Sequence, residues 1–259
     1  MSSVTGPREL LTVTDDVAAT LDASVPHSAR VWNYWLGGKD NFAPDRAVGD
    51  QVRAVFPEIV DAVRHSRAFL RRAVTFLTAE AGVRQFLDIG TGLPTADNTH
   101  RIAQRLAPEA RVVYVDNDPL VLVHGRALLT SSPEGATQYV DVDLRDTAGI
   151  VREASRTLDF ARPVALILVG VMGHVEDSAR AHEIVRDLVA ASASGSYLVM
   201  SDGTATSARA IESHRQYNES GAVPYHLRAV DDFRAFFDGL EPVEPGLVPL
   251  GDWRSGRSE

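Results

Sequence analysis

The sequence predicts an α/β protein built on a mostly parallel sheet with helices on both faces. Three observations carry that prediction. From residue 85 onward, short apolar runs alternate with helix-like stretches in a β-α-β-α order, the order that parallel crossover units produce. The first run, Phe86, Leu87 and Ile89, ends in Gly90 and Gly92 and leads into a helical stretch. A strand, a glycine turn and a helix N-terminus together let a nucleotide-like ligand lie against bare backbone. Later runs close on acids, at Asp116 and Asp143, where ligand hydroxyls and amines find acceptors.

Length and composition narrow the class. At 259 residues the chain suits one large α/β domain with a modest extension. Its 44% hydrophobic and 24% charged residues are ordinary for a soluble enzyme. A net charge of −9 argues against a sequence-independent grip on nucleic acid phosphates. With no cysteine in the chain, disulfides, thiolate metal sites and a cysteine nucleophile are excluded together. The first 22 residues lack a basic-then-apolar signal and no run reaches membrane length, so a cytoplasmic protein is expected.

Residues 1–25 are polar and without period, and read as a loosely held arm. Residues 26–82 read as a helical cap. Within it Trp32, Tyr34 and Trp35 lie close together and stop at Gly37-Gly38, a helix end followed by a turn. Residues 44–56 have helical spacing in Ala47, Val48, Val52 and Val55, and Pro57 starts another helix. That helix carries Ile59, Val63, Phe69, Leu70, Val74 and Leu77 inward, with Arg64, Arg67, Arg71 and Arg72 assigned to its solvated side. Residues 83–259 form the core. Strands are expected at 85–89, 112–115, 138–142, 164–169 and 197–201, and helices near 98–106, 119–129, 150–158 and 178–191. Thr95, Asp97 or Asn98 can cap the first of these helices. Residues 208–217 and 230–237 read as further helices, and 240–250 as edge strands that close the sheet.

The glycine turn departs from a dinucleotide fingerprint. The third glycine of G-x-G-x-x-G falls at position 95, which is Thr95, and Asp88 stands two residues before the first. A carboxylate there would repel a pyrophosphate and suits a ligand with an ammonium group. Asp116, at the end of the next strand, is placed to accept both hydroxyls of a ribose diol. Asp118 reads as a helix cap. Asp143 is the acid of the third strand end best placed for an exocyclic adenine amine.

These motifs in series, Asp88-Ile89-Gly90-Thr91-Gly92, Asp116 and Asp143-Leu144, resemble those of class I S-adenosylmethionine-dependent methyltransferases. More narrowly, residues 30–42 resemble the opening signature of an actinobacterial methyltransferase family first catalogued as a domain of unknown function. Residues 86–94, Asn98-Thr99-His100, 163–174 and Glu244-Pro245-Gly246 are similar to it as well. Pro94 departs from the broader class, where a third glycine is common, and leaves ligand contact to the amides of Gly90 to Leu93. The resemblance implies a Rossmann-like, seven-stranded methyltransferase sheet with S-adenosylmethionine, or S-adenosylhomocysteine as product, in the cleft. It implies Asp88, Gly90, Thr91 and Gly92 on the methionine side, Asp116 and Asn117 at the ribose, and Asp143 and Leu144 at the adenine. Val169 and Gly170 would pass the sulfonium, and Arg30, Asn33, Tyr34 and Gly38 would belong to a segment closing over the ligand. Trp32 or Trp35 offers a π-face for a cation.

Methyl transfer from a sulfonium is a direct displacement, so alignment supplies most of the rate. A base is needed only if the accepting atom keeps its proton until attack. His174, after the fourth strand, is the first candidate for base or substrate ligand. Tyr34 is a weaker one, with His214, Tyr217 and His226 in regions that could roof the acceptor pocket. No metal site is expected: Gly37-Gly38-Lys39 lacks the strand of a phosphate loop, and His174-Val175-Glu176 lacks the cysteines of a zinc deaminase. The reading is a methyltransferase for a small-molecule acceptor, with no membrane or nucleic-acid partner. The alternative is a module that senses the methyl donor without transfer.

Overall fold

The structure, a computed structural model, describes residues 22–256 apart from 96, 129 and 130. Most of the expected 1–25 arm lies outside the described residues.

Three helices precede the sheet: α1 (Ser28–Trp35), α2 (Ala43–Val55) and α3 (Ile59–Ala79). The first ends as expected at Gly37, whose φ of 79° is the left-handed turn that glycine adopts without strain. Asp45, fully buried, joins the first two helices. Its Oδ2 accepts the amide of Phe42 (2.7 Å), while Oδ1 accepts the amide of His27 (2.9 Å) and Arg30 Nε (3.2 Å). A buried charge of this kind persists because it is paired and bonded on both oxygens.

Five strands follow: β1 (Gln85–Ile89), β2 (Arg111–Asp116), β3 (Ala136–Asp141), β4 (Ala165–Val169) and β5 (Tyr197–Ser201). They pair in parallel in the order β3-β2-β1-β4-β5. The helices between them are α4 (Thr99–Leu106), α5 (Pro119–Leu128), α6 (Thr147–Ala154) and α7 (Ser178–Ala190). The third of these begins three residues earlier than its apolar pattern indicated. Asp146 caps it, with Oδ1 accepting the amide of Gly149 at 2.8 Å. After β5 come α8 (Ala208–Asn218) and the short α9 (Val230–Arg234).

The sheet has five strands among the described residues, not the seven that the family resemblance implied. Residues 240–250 form no strand. Pro242, Pro245 and Pro249 remove ladder donors, and Gly246 turns at a φ of 77°. Thr204 and Arg228 form only an isolated parallel bridge.

Alternation along the strands divides the core. Leu87, Ile89, Val113, Val115, Leu166 and Leu168 face α6, α7 and α9, while Phe86, Val112, Tyr114 and Ile167 face α3 and α4. A third cluster lies above the strand ends and joins Val31, Val48, Val52 and Ile59 of the N-terminal helices to Tyr217 and Ala222. Helix α3 belongs to both layers, its first turns in the upper cluster and Phe69 to Leu77 on the sheet. Arg72, assigned from sequence to a solvated face, instead donates to the carbonyls of Trp253 (2.6 Å) and Leu250 (2.5 Å) and pins the C-terminal segment to α3.

Candidate functional site

All five strands point their C-terminal ends into one cavity of about 550 Å³, within the range of about 300–1,000 Å³ usual for small-molecule sites. The order of the strands reverses direction between β1 and β4, the place where open α/β sheets bind ligands. The roof comes from α1, α2, α3 and α8.

The glycine turn forms the floor. Gly90 has a φ of 70° and donates its amide to the carbonyl of Val115 at 2.8 Å. A Cβ at this position would stand 2.2 Å from Val171 Cγ2, so both conformation and space require glycine. Gly92, at φ 64°, donates to Asp116 Oδ2 at 2.9 Å. Asp116 Oδ1 accepts the amide of Asp118 at 3.0 Å, so this carboxylate braces the turn from the next strand. Two of the four amides from Gly90 to Leu93 are therefore engaged within the protein. Those of Thr91 and Leu93 have no acceptor among the described residues. Asn98 is the helix N-cap by position, but its Oδ1 turns back to the amide of Thr95 at 2.7 Å.

Asp88 is buried beneath the turn, and its Oδ2 accepts the hydroxyl of Thr99 at 2.6 Å. Burial raises its pKa to about 6, against the opposing pull of Thr99 and Arg67. In register it lies beside Tyr114 and then Tyr139, so one row of polar groups crosses the face covered by α3. Arg67 comes down from that helix toward this row. Sequence reading put it on a solvated face; it lines the cavity, feels the charge of Asp88, and its buried Nε has no acceptor. Burial lowers its pKa, so an anion beside it would be favoured. The spacing carries the signal: position 67 follows Val63 by four and precedes Leu70 by three, in the middle of the apolar stripe.

Beyond β2 and β3, Asn117 Nδ2 donates to Asp143 Oδ2 at 3.2 Å, and Arg145 holds Asp143 Oδ1 through its amide (2.7 Å) and side chain (3.2 Å). Leu144, Val169 and Gly170 line the same space. A Cβ built on Gly170 would lie 3.6 Å from Trp32 Cη2, so that indole covers the end of β4. Trp35 lines the roof and also staples it, donating Nε1 to the carbonyl of Gly49 at 3.0 Å.

The signature residues of the cap separate. Asn33 reaches the cavity, and its Oδ1 accepts the amide of Asp40 (3.1 Å) and Asn41 Nδ2 (2.9 Å). Arg30, Tyr34 and Gly38 are not on the walls. Arg30 is spent on Asp45 and the carbonyls of Asp22 and Val25. The hydroxyl of Tyr34 donates to Asp50 Oδ1 at 2.7 Å. Gly38 packs so closely on Asn33 that an added Cβ would come within 2.4 Å of its side chain. These three shape the segment from behind.

His174 lines the cavity from the turn after β4, and His214 from α8. The Nδ1 of His174 lies 2.8 Å from the carbonyl of Pro224, and that of His214 lies 2.8 Å from the carbonyl of Ala210. A carbonyl only accepts, so each Nδ1 carries the proton and each Nε2 a lone pair. Burial lowers both pKa values, which keeps both rings neutral. Tyr225 lies between them, with ring centroids 5.1 Å from His174 and 5.5 Å from His214.

A family model described as S-adenosyl methyltransferase matches residues 14–259. The chain belongs to that S-adenosyl methyltransferase family. A domain-of-unknown-function family protein from Streptomyces avermitilis is 46% identical, with 90% of each chain covered and a TM-score of 0.87. A protein from Thermobifida fusca, named as a candidate methyltransferase, is 40% identical over 93% of this chain and 90% of its own, with a TM-score of 0.86. No functionally curated protein matches the chain. Membership sets the reaction class: this S-adenosyl methyltransferase is an S-adenosylmethionine-dependent enzyme, and the sensor alternative gains no support. No helix among the described residues is long and apolar enough to cross a membrane.

One further wall residue of the S-adenosyl methyltransferase went unread in the sequence. Asp202 directly follows β5, half-buried at the cavity wall, and its Oδ2 accepts the amide of Gly173 at 3.1 Å. It is a strand-end acid, like Asp116, and its position after the apolar run 197–201 was the signal.

Proposed function

We propose that the enzyme holds S-adenosylmethionine along the C-terminal edge of β1 to β4 and methylates a small molecule held under the cap and α8. The observation that carries this is the pairing of opposite charges at one end of the cavity, Asp88 with the underused guanidinium of Arg67. An amino-acid end needs such a pair: an acid for its ammonium and a base for its carboxylate. Asp116 and Asn117 then receive the ribose, and Asp143 and Leu144 meet the adenine. Val169 and Gly170, under Trp32, lie along the path to the reacting centre. The bound donor supplies an electrophilic methyl group on sulfur.

The protein's part is alignment and the exclusion of water. The cap of residues 26–82 closes the site over the core of 83–259, and His174 offers a neutral, fixed Nε2 lone pair as substrate ligand. Calorimetry tests the donor site directly. S-adenosylhomocysteine is expected to bind at least about 100-fold more tightly than 5′-methylthioadenosine, which lacks the amino-acid end, since two charged hydrogen bonds contribute about 3 kcal/mol. Arg67→Gln and Asp88→Asn should each remove most of that preference. Equal affinity of the wild type for both ligands would overturn the assignment.

The same site has a pH dependence of fixed sign. Burial lifts the folded pKa of Asp88 above the ordinary aspartate value of 3.8, to about 6. The proton it retains therefore favours the folded apo protein fully below about pH 4, and that contribution is lost as pH rises through about 6. Ligand binding runs the other way, because an ammonium group favours the ionised acid. Asp116, whose pKa burial also raises, acts in the same direction. Affinity for S-adenosylhomocysteine should rise up to about tenfold from pH 5 to pH 7 in the wild type, and more weakly in Asp88→Asn.

A further inference from the structure

The cavity has two chemically different halves, and the half beyond β4 and β5 limits what the acceptor can be. It is walled by rings, among them Trp32, Phe56 and Tyr225. Its polar groups are acceptors in excess: the Nε2 lone pairs of His174 and His214, and the carboxylate of Asp202. The Nε2 of His214 lies 3.8 Å from where a Cβ on Gly203, the residue after Asp202, would stand. Asp202 is short of donors. Burial raises its pKa to about 7, against the opposing pull of Arg228 and of the amides of Gly203, Gly173 and Met172; only the amide of Gly173 makes a hydrogen bond, to Oδ2, and the buried Oδ1 has no partner. A carboxylate accepts up to about four hydrogen bonds, and a buried one left with a single bond gains from any donor a ligand brings.

Cations are scarce in the same half. Among the described wall residues only Arg67 and Arg145 carry a guanidinium or ammonium group, and the wall residue His27 is already paired with Asp118 at 2.8 Å. Arg67 lies at the Asp88 end, and Arg145 is held by Asp143 and by the carbonyl of His174 at 2.7 Å. Arg228 offsets the charge of Asp202 from behind, without reaching the wall, and is spent on the carbonyls of Met172 and Val175. An anionic acceptor, whether a carboxylate or a phosphate ester, would thus be desolvated without a partner.

Resting on the donor site assigned above, we propose that the acceptor is an uncharged, ring-bearing small molecule that presents an O–H or N–H to Asp202. Its size follows from the shared space. About 300 Å³ is the low end for one small-molecule site, and the donor must fit in the same 550 Å³, so one or two rings remain as the acceptor's bulk.

The test uses the full chain saturated with S-adenosylhomocysteine and three probes of matched shape: 2-naphthol, 2-methoxynaphthalene and 2-naphthoate. Calorimetry at about pH 8.5, where Asp202 is ionised, is expected to show 2-naphthol binding at least about fivefold more tightly than 2-methoxynaphthalene and more tightly again than 2-naphthoate, in line with one hydrogen bond to a charged group. Asp202→Asn should bring the first two probes within about twofold of each other. The amide of Gly173 claims the single side-chain oxygen of asparagine, which turns an NH₂ toward the ligand. If that variant fails to fold, the order of the three probes on the wild type still decides. Absence of 2-naphthol binding, equal binding of the first two probes, or tightest binding of the anion would overturn the proposal. Failure of S-adenosylhomocysteine itself to bind would instead overturn the donor-site assignment.

Discussion

Replacing Asp116 with alanine is expected to reduce S-adenosylhomocysteine affinity by about 100-fold or more. The carboxylate stands at two jobs. Within the protein it holds the amides of Gly92 and Asp118, at 2.9 and 3.0 Å, and so fixes the glycine turn against the end of β2. In the proposed donor site, the lone pairs left on the same two oxygens would accept from a ribose diol. Hydrogen bonds to a charged group contribute about 1.5–3 kcal/mol each, so loss of the diol contacts alone accounts for two decades. Asparagine separates the two jobs. It has one oxygen for two amides, so Asp116→Asn should loosen the loop as well as weaken binding, and its thermal midpoint should fall below that of the wild type. Affinity within about threefold of the wild type in Asp116→Ala would show that the ribose lies elsewhere.

Gly90→Ala is expected to destabilise the fold by about 2–5 kcal/mol, whereas Gly92→Ala should cost only about 1–2 kcal/mol. Both residues have a positive φ, 70° and 64°, and a left-handed alanine costs about 1–2 kcal/mol in either place. The difference is space. A methyl group on Gly90 meets Val171 at 2.2 Å, but one on Gly92 has nothing within 4 Å. Overpacking of a filled site adds about 1–3 kcal/mol. Urea denaturation of the two variants measures the gap. Equal losses would mean that Val171 moves aside, and the close packing of the turn against the segment after β4 would lose its significance.

The parts legible in the sequence are those governed by local rules. Short runs rich in apolar residues mark all five strands, most clearly in the central β1, β2 and β4, which are largely buried on both faces, while the edge strand β3 is only half-buried. The end of α1 at Gly37 follows from turn chemistry. The acids at 88, 116 and 143 were found because strand ends gather at one edge of such a sheet. What local rules missed depends on which face a long side chain takes. Arg67 was assigned to solvent from its charge, although its position within the Val63–Leu70–Val74 stripe points inward. The signature segment was read as one lid, yet Asn33, Trp32 and Trp35 reach the ligand space while Arg30 and Tyr34 turn to Asp45 and Asp50. Which member of a helix faces a cavity depends on the helix opposite, α8, which lies far along the chain. The sixth and seventh strands, read into residues 240–250 and implied by the family likeness, are absent among the described residues, where three prolines remove ladder donors.

The upper apolar cluster has a consequence for how the molecule is made. Val31, Val48, Val52 and Ile59 leave the ribosome early, but Tyr217 and Ala222, which complete their packing, follow roughly 160 residues later. At translation rates of about 5–20 residues per second, that face stays uncovered for roughly 10–30 seconds. The sheet can assemble in the meantime, since its strands emerge between the two halves of the cluster. The roof is thus begun before the sheet and finished after it, and its uncovered apolar face exposes the nascent chain to aggregation in the interval.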